Sequence, residues 1–409
     1  MKILIITPYL PHPKSGHGGG TYLYHLLNNL SKRHHITLAS FVDDRELALV
    51  NDLKQLPIDL HFVHRKKGRD KNFFSTFKVF ITRALRLIQS VLLWEPYYIS
   101  KFKNHQMAEL VAHLTSIERF DVVQIEYTQM GSYVKFIKHG KTVLHEHDVV
   151  YRPAYRAYKN SKSVIKKLSL FLEWCRCAAY EPKMTKQFDY LLTSSEQDQN
   201  LLRRITGIDN IDFVPFGVDV AKCIPDFSIR KSNSLLFVGS FSHRPNIDSA
   251  FWLLEEIFPQ LQKKFPATIL YIAGANPPEQ LRALCANVSN VKLLGFVDDI
   301  IPYFRECGIF IAPLRSGGGV KIKILQAMAQ GIPIVTTKVG IEGIEAIYPN
   351  AVLVGNTSQE IVNHIGNLLS DTRFSSLLGL KGWEIMNKYY SWESIIAKHE
   401  ILYNNICNT

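Results

Sequence analysis

Thirteen short, largely apolar segments punctuate the chain, and most are separated by stretches with helical spacing. In the first half they are Lys2–Thr7, Ile36–Ser40, Ile58–Val63, Asp121–Glu126, Lys141–His145, Tyr190–Thr193 and Ile211–Pro215. In the second half they are Leu235–Val238, Thr268–Ala273, Val291–Leu294, Ile309–Ala312, Ile334–Thr336 and Val352–Val354. Apolar runs of this length suit strands covered on both faces. Helices are predicted at Asp43–Gln55, Phe77–Trp94, His105–Ile117 and Val164–Phe188. Strands alternating with helices predict an α/β chain of two Rossmann-like, doubly wound domains.

One stretch, Ile309–Ile334, carries the most chemistry. After the strand Ile309–Ala312, Gly317, Gly318 and Gly319 allow a sharp turn with uncovered N–H groups. Ile324, Leu325 and Met328 then recur at helical spacing until Gly331 and Pro333 stop the helix. A strand, a glycine turn and a helix start form an anion site, because the free N–H groups and the helix dipole point the same way. Lys321 and Lys323 fall in the first turn, where cations oppose the dipole; a bound anion would justify them. The competing reading is a solvated basic helix start. A second glycine-rich turn, Gly16–Gly20, opens a helix carrying Tyr22, Leu23, Leu26, Leu27 and Leu30. It has neither the Lys-Ser/Thr of a P-loop nor the dinucleotide spacing.

Composition narrows the classes. At 409 residues, 46% hydrophobic and 21% charged, the chain is long enough for two cored domains and is not disordered in kind. The six cysteines, Cys175, Cys177, Cys223, Cys285, Cys307 and Cys407, offer no zinc spacing and suggest free thiols. The start K-I-L-I-I-T-P reads as a strand rather than a signal segment, and no run reaches membrane-spanning length. The net charge of +12 is uneven: residues 61–105 carry ten Lys/Arg against two acids, and residues 151–186 nine against two. Such a basic first half points to nucleic acid or anionic lipid. No aromatic–basic RNA motif or zinc finger supports nucleic acid. Val79, Phe80, Leu87, Val91 and Leu92 beside Lys78, Arg83 and Arg86 give Phe77–Trp94 an amphipathic pattern; an ordinary domain helix is the alternative.

Gly317–Lys323, Gln326-Ala327-Met328-Ala329, and Gly239-Ser240 followed by Pro245-Asn246 together resemble one family. It is the retaining family 4 (group 1) glycosyltransferases of GT-B fold, in the branch with a Gly-Gly-Gly-x-basic-x-Lys loop. The resemblance runs from Met1 to about Trp392. It implies an acceptor domain at 1–218, a donor domain at 219–390 facing it across a cleft, and a C-terminal helix, 391–409, packing back on the first. Ala221–Ser234 reads as the linker. His147-Asp148 resembles the family's His-Asp that reaches the donor sugar, with a structural histidine as the other reading. HExH is no zincin motif here, since His145 and His147 are two apart and off a helix. The catalytic residues implied are His147 and Lys323. Donor contacts are expected from Gly239, Ser240, Arg244, Arg315, Gly317, Gly318, Gly319, Val320, Lys321 and Gln326. Gly18, Gly19, Gly20 and Asp148 are expected in the acceptor or cleft loop. Ser195 with Asp198 reads as a structural helix cap.

The implied activity is sugar transfer from a nucleotide-diphosphate donor to a lipid-linked or saccharide acceptor in cell-surface polysaccharide or glycolipid assembly. It would occur in the cytoplasm, on the anionic inner face of the membrane. Gly318, Gly319, Lys321 and Lys323 would stabilise charge on the leaving phosphate. Asp43-Asp44 and Asp298-Asp299 read as helix caps, so neither a metal nor another cofactor is expected. Three departures stand out. The family's two glutamates eight residues apart are here Gly318 and Gln326, and its Gly-Arg and Lys-Gly in the first donor-domain loop are Gly239-Ser240 and Pro245-Asn246. Only His243 or Arg244 remains to replace those bases. A catalytically silent partner of the same fold and a nucleotide-sugar epimerase are the alternatives.

Overall fold

The computed structural model describes all residues except 16–17, 66–89, 91, 160, 162, 221–224, 345–350 and 409. It divides into two compact units, Met1–Pro215 with Ile396–Thr409, and Phe216–Ile395. The first break thus falls three residues before the boundary read from sequence.

In the first unit, seven parallel strands are ordered β3-β2-β1-β4-β5-β6-β7. They are β1 Lys2–Thr7, β2 His35–Val42, β3 Asp59–His64, β4 Val122–Glu126, β5 Lys141–Glu146, β6 Tyr190–Thr193 and β7 Ile211–Phe213. Ile3–Ile6 of β1 are fully buried. Leu4, Ile6, Val123 and Ile125 share a core with Met107, Val111 and Leu114 of helix His105–Ile117. That helix has the predicted bounds and starts on Asn104, whose side chain accepts from Met107 N. Ser195 likewise caps helix Glu196–Thr206, accepting from Asp198 N.

The second unit orders six parallel strands β10-β9-β8-β11-β12-β13. These are β8 Lys231–Val238, β9 Ile269–Ala273, β10 Val291–Gly295, β11 Cys307–Ala312, β12 Ile334–Thr336 and β13 Leu353–Val354. Leu235, Phe237, Ile309 and Ile311 pack with Leu253, Ile257 and Phe258 on one side chain cluster that also takes in Ile361 and Ile365. Strand order reverses between β1 and β4, and again between β8 and β11. In open parallel sheets the crevice beyond the carboxyl ends at such a reversal is where ligands bind.

Several sequence expectations need correction. Helix Asp43–Gln55 shrinks to a 3-10 turn, Leu47–Leu49, and helix Val50–Leu53. Its start is taken by a reciprocal turn in which Asp43 N donates to Glu46 and Glu46 N to Asp43. The linker ends at Arg230, because β8 already begins at Lys231, and β7 stops at Phe213. Val164–Phe188 is helix Val164–Thr185, preceded by a separate helix Tyr151–Lys159. The Phe77–Trp94 prediction lies mostly outside the described residues. Among those described, no helix is long and apolar enough to cross a membrane.

Candidate active site

In the second unit, Lys323 and Asn246 meet at the carboxyl end of β8. Lys323, second residue of helix Ile322–Ala329, reaches across the strand-order reversal. Its Nζ donates to Val238 O at 3.0 Å and to Asn246 Oδ1 at 2.8 Å, above the ring of Phe237. Asn246 Nδ2 in turn donates to Ser240 O. The turn is crowded: a Cβ on Gly239 would stand 2.7 Å from Asn246 Cγ, and one on Gly274 2.0 Å from Gly239 O. Glycine is therefore required there by close backbone approach.

The triple-glycine loop behaves as its composition suggests. Gly317 and Gly319 take φ of +120° and +62°. Lys321 is the N-cap residue rather than a first-turn residue. Its ammonium donates to Gly318 O at 3.1 Å and to Gly319 O, with Glu342 at 3.9 Å. Lys323 is thus held by neutral carbonyl dipoles among the described residues, whereas Lys321 also has the Glu342 carboxylate nearby. Burial, then the neighbouring Lys321 charge, pulls the Lys323 pKa down to about 7.

Other predicted donor residues are more dispersed. Arg315 is committed to Asp248, at 2.6 and 3.0 Å, and lies over Trp252. Its guanidinium has found a carboxylate, the stronger bidentate partner. Arg244 is exposed at the start of helix Arg244–Trp252; Val320 and Gln326 are half-buried.

The first unit's candidate residues gather beyond β4 and β5. His147 is buried, with Nε2 2.6 Å from Glu126 Oε2. His145 Nδ1 lies 3.0 Å from the same oxygen. Burial opposes ionisation of Glu126, but the two imidazoles overcome it and hold the carboxyl well below its usual range. Burial, then His145, depresses the His147 pKa to about 4, so its ring is neutral at pH 7. Tyr127 stacks on His147 with centroids 3.9 Å apart. Its φ of +69° is unusual for a bulky residue, a strained backbone of the kind kept at functional sites.

The glycine motif joins this cluster by steric need. Gly18, Gly19 and Gly20 are the first turn of helix Gly18–Leu30, not a loop before it. A Cβ on Gly19 would fall 1.8 Å from the Tyr127 hydroxyl and 2.8 Å from that of Tyr9. Asp148 is exposed beside these tyrosines, whose pKa values its charge helps to raise.

Sequence reasoning placed Glu126 at a strand end without a partner, and missed Tyr127 and His399 altogether. His399, in helix Trp392–Asn408, lies 3.2 Å from the Tyr22 hydroxyl. Tyr403 OH donates to Gln124, which donates to Glu126. Among the described residues, Glu126, His145 and His147 are the group able to hold a metal ion, their ligand atoms lying within 4.8 Å of one another. His147 Nε2 hydrogen-bonds Glu126 Oε2, whereas His145 Nδ1, 3.0 Å from the same oxygen, is not aligned as a hydrogen bond. Asp43 and Asp299 instead accept backbone N–H groups in turns.

The comparisons give this geometry its class. The fold matches the GT-B structure of Anabaena HepE in complex with UDP and glucose, with a TM-score of 0.67 and 14% identity over 99% of this chain and 100% of that one. TarM matches with a TM-score of 0.68 at 12% identity, covering 98% of each chain. Residues 232–371 match the family model described as Glycosyl transferases group 1. A 44.6 kDa uncharacterized protein in the cps region of Klebsiella pneumoniae is 21% identical over 97% of this chain and 98% of its own. A GDP-mannose-dependent alpha-(1-6)-phosphatidylinositol monomannoside mannosyltransferase of Mycobacterium tuberculosis is 23% identical over 46% of this chain and 54% of its own. The chain has the GT-B fold, its residues 232–371 are similar to group 1 glycosyl transferases, and it is a glycosyltransferase.

Proposed function

We propose that the protein moves a sugar from a nucleoside-diphosphate donor to a saccharide or lipid-linked acceptor during cell-surface polysaccharide or glycolipid assembly. Anomeric configuration is retained and no metal takes part. The observation that carries this reading is the half-buried Lys323 ammonium, whose hydrogen-bond partners among the described residues are carbonyl oxygens and not a carboxylate. A leaving diphosphate would supply the missing negative charge, and Lys321 with the Gly318 and Gly319 backbone would share it. His147, neutral and oriented by Glu126, would hydrogen-bond the donor sugar. Structural neighbours crystallised with UDP, and with UDP and glucose, support a uridine or similar nucleotide. The cps-region relative supports a role in surface polysaccharide. Basic residues of the first unit would hold the enzyme to the anionic inner face of the membrane, where a lipid-linked acceptor resides.

A second reading, a silent partner of the same fold, draws on Arg315 being paired with Asp248 and on Gln326. A thermal-shift scan across nucleotide sugars, followed by hydrolysis and transfer assays on any hit, separates the two. Stabilisation by a donor and its slow hydrolysis are expected; a donor that stabilises yet is never turned over favours the silent partner. No stabilisation by any donor removes both.

A further inference from the structure

Helix Val164–Thr185 presents an apolar stripe that no described residue of its own unit covers. Val164, Ile165 and Leu168 are 83%, 86% and 62% exposed, and Phe171 and Leu172 extend the row. At helical spacing these five side chains fall within roughly a third of the circumference. Trp174 stacks on Tyr158 of helix Tyr151–Lys159, and Phe171, at the less exposed end of the row, packs against both rings. Trp94, itself 47% exposed, lies against Arg176 further along the same helix, with Leu92 and Leu93 exposed beside it.

The charges around the stripe have one sign. Arg156, Lys159, Lys166, Lys167, Lys183 and Lys186 belong to this helical pair and its flanks. Both acids of the segment are turned inward. Glu181 is buried and accepts from Val150 N and Tyr151 N, and Glu173 accepts from Tyr97 N and pairs with Arg176. A second copy of the chain would set basic surface against basic surface. An anionic bilayer complements both the apolar row and its charge, with tryptophan and tyrosine at the boundary depth they favour.

We propose that Val164, Ile165, Leu168, Phe171 and Leu172 insert into the boundary region of an anionic bilayer, with Lys166 and Lys167 at the headgroups. This deepens the membrane part of the proposed function, which by charge alone gives attachment that salt abolishes. Insertion adds a component that persists in salt, because buried apolar area is indifferent to screening.

The test uses the full chain with phosphatidylcholine vesicles, with and without phosphatidylglycerol, sedimented at low and high salt. The variant Val164→Asn/Ile165→Asn/Leu168→Asn alters exposed positions only, so its melting temperature should match the parent's. Its partition onto anionic vesicles at high salt should fall about tenfold or more, since three buried aliphatic side chains are lost. Ile165→Trp should shift its emission to the blue on anionic vesicles. Parent-like partition of the triple variant, or no shift for Ile165→Trp, overturns the proposal. So does parent self-association in sedimentation velocity that the triple variant loses, which would assign the stripe to a second copy. Donor hydrolysis by the vesicle-free triple variant is measured in parallel, so failed insertion with intact hydrolysis leaves the glycosyltransferase reading standing.

Discussion

At the reversal between β1 and β4 the charge is the buried Glu126 carboxylate, whereas between β8 and β11 it is the half-buried Lys323 ammonium. Glu126 is compensated from within, by His145 and His147 on one oxygen and Gln124 on the other. Among the described residues, Lys323 meets a carbonyl, an amide oxygen and the face of Phe237. Removing an ion from water costs several kcal/mol, and hydrogen bonds to the charged form return part of it. The pKa shifts follow: the carboxyl is driven down into its ionised form, while the ammonium is weakened toward neutrality. On the proposed function, the first site would orient a neutral imidazole, and the second would gain most from an anion.

The contrast is broken most directly at Lys323. Lys323→Ala removes the uncompensated charge, and turnover should fall about 10²–10³-fold, as for loss of one preorganised donor. Stability should change little, because the lost hydrogen bonds are offset by relief of a buried charge. Steady-state rates on a nucleotide-sugar donor, read beside a urea melt, check both halves. Unchanged turnover would remove the anion-site argument.

Glu126→Gln probes the compensated site. The amide oxygen can still accept from His147, but the charge-assisted bonds are lost, and stability should drop by about 1.5–3 kcal/mol. Misorientation of His147 should reduce turnover by up to about 10²-fold. A variant as stable as the parent would mean that Glu126 is not the group ordering this cluster.

A pH titration sharpens the comparison further. The unfolded chain holds the Lys323 proton up to its ordinary value of 10.5, while the folded unit releases it near 7. Its contribution to stability is therefore smallest below about 7 and grows as pH rises toward 10.5. Donor affinity should run the opposite way, weakening by up to about tenfold per pH unit above 7 as the ammonium is lost. Calorimetric titration with a nucleoside diphosphate at several pH values reads this directly. Lys323→Ala should flatten it.

The frame of both sites was legible in the chain because buried parallel strands announce themselves by composition. All thirteen appear, with ends displaced by at most a few residues. Lys323, the glycine turn and His147 were singled out because each sits next to such a strand end. Their partners were not, since they depend on distant chain: Lys323 meets Asn246 across 77 positions and Tyr22 meets His399 across 377. The need for glycine at 19 was invisible too, for it arises from the Tyr127 hydroxyl rather than from local backbone. Local chemistry misled once. Helical spacing suggested Asp43–Gln55, yet Asp43 and Glu46 bond each other's backbone, and that turn competes with the helix.

The smallest expected effect lies at Gln326, where the second site lacks a charge that the first would have had. Gln326 is three residues beyond Lys323 on the short helix Ile322–Ala329, so the two share a face. Gln326→Glu would place a carboxylate near the ammonium and favour its charged form, raising the Lys323 pKa from about 7. Donor affinity should then hold to higher pH, and the pH dependence of stability should flatten between 7 and the raised value. If Gln326 accepts a ribose hydroxyl, Gln326→Leu should weaken donor binding by about 1 kcal/mol, the worth of one neutral hydrogen bond. Gln326→Glu should keep or tighten it, because a carboxylate is the stronger acceptor. Calorimetry on the three proteins at neutral and alkaline pH measures both consequences. Equal affinity in all three would place Gln326 outside the nucleotide contacts, and an unmoved pH profile in Gln326→Glu would show that Lys323 does not sense this position.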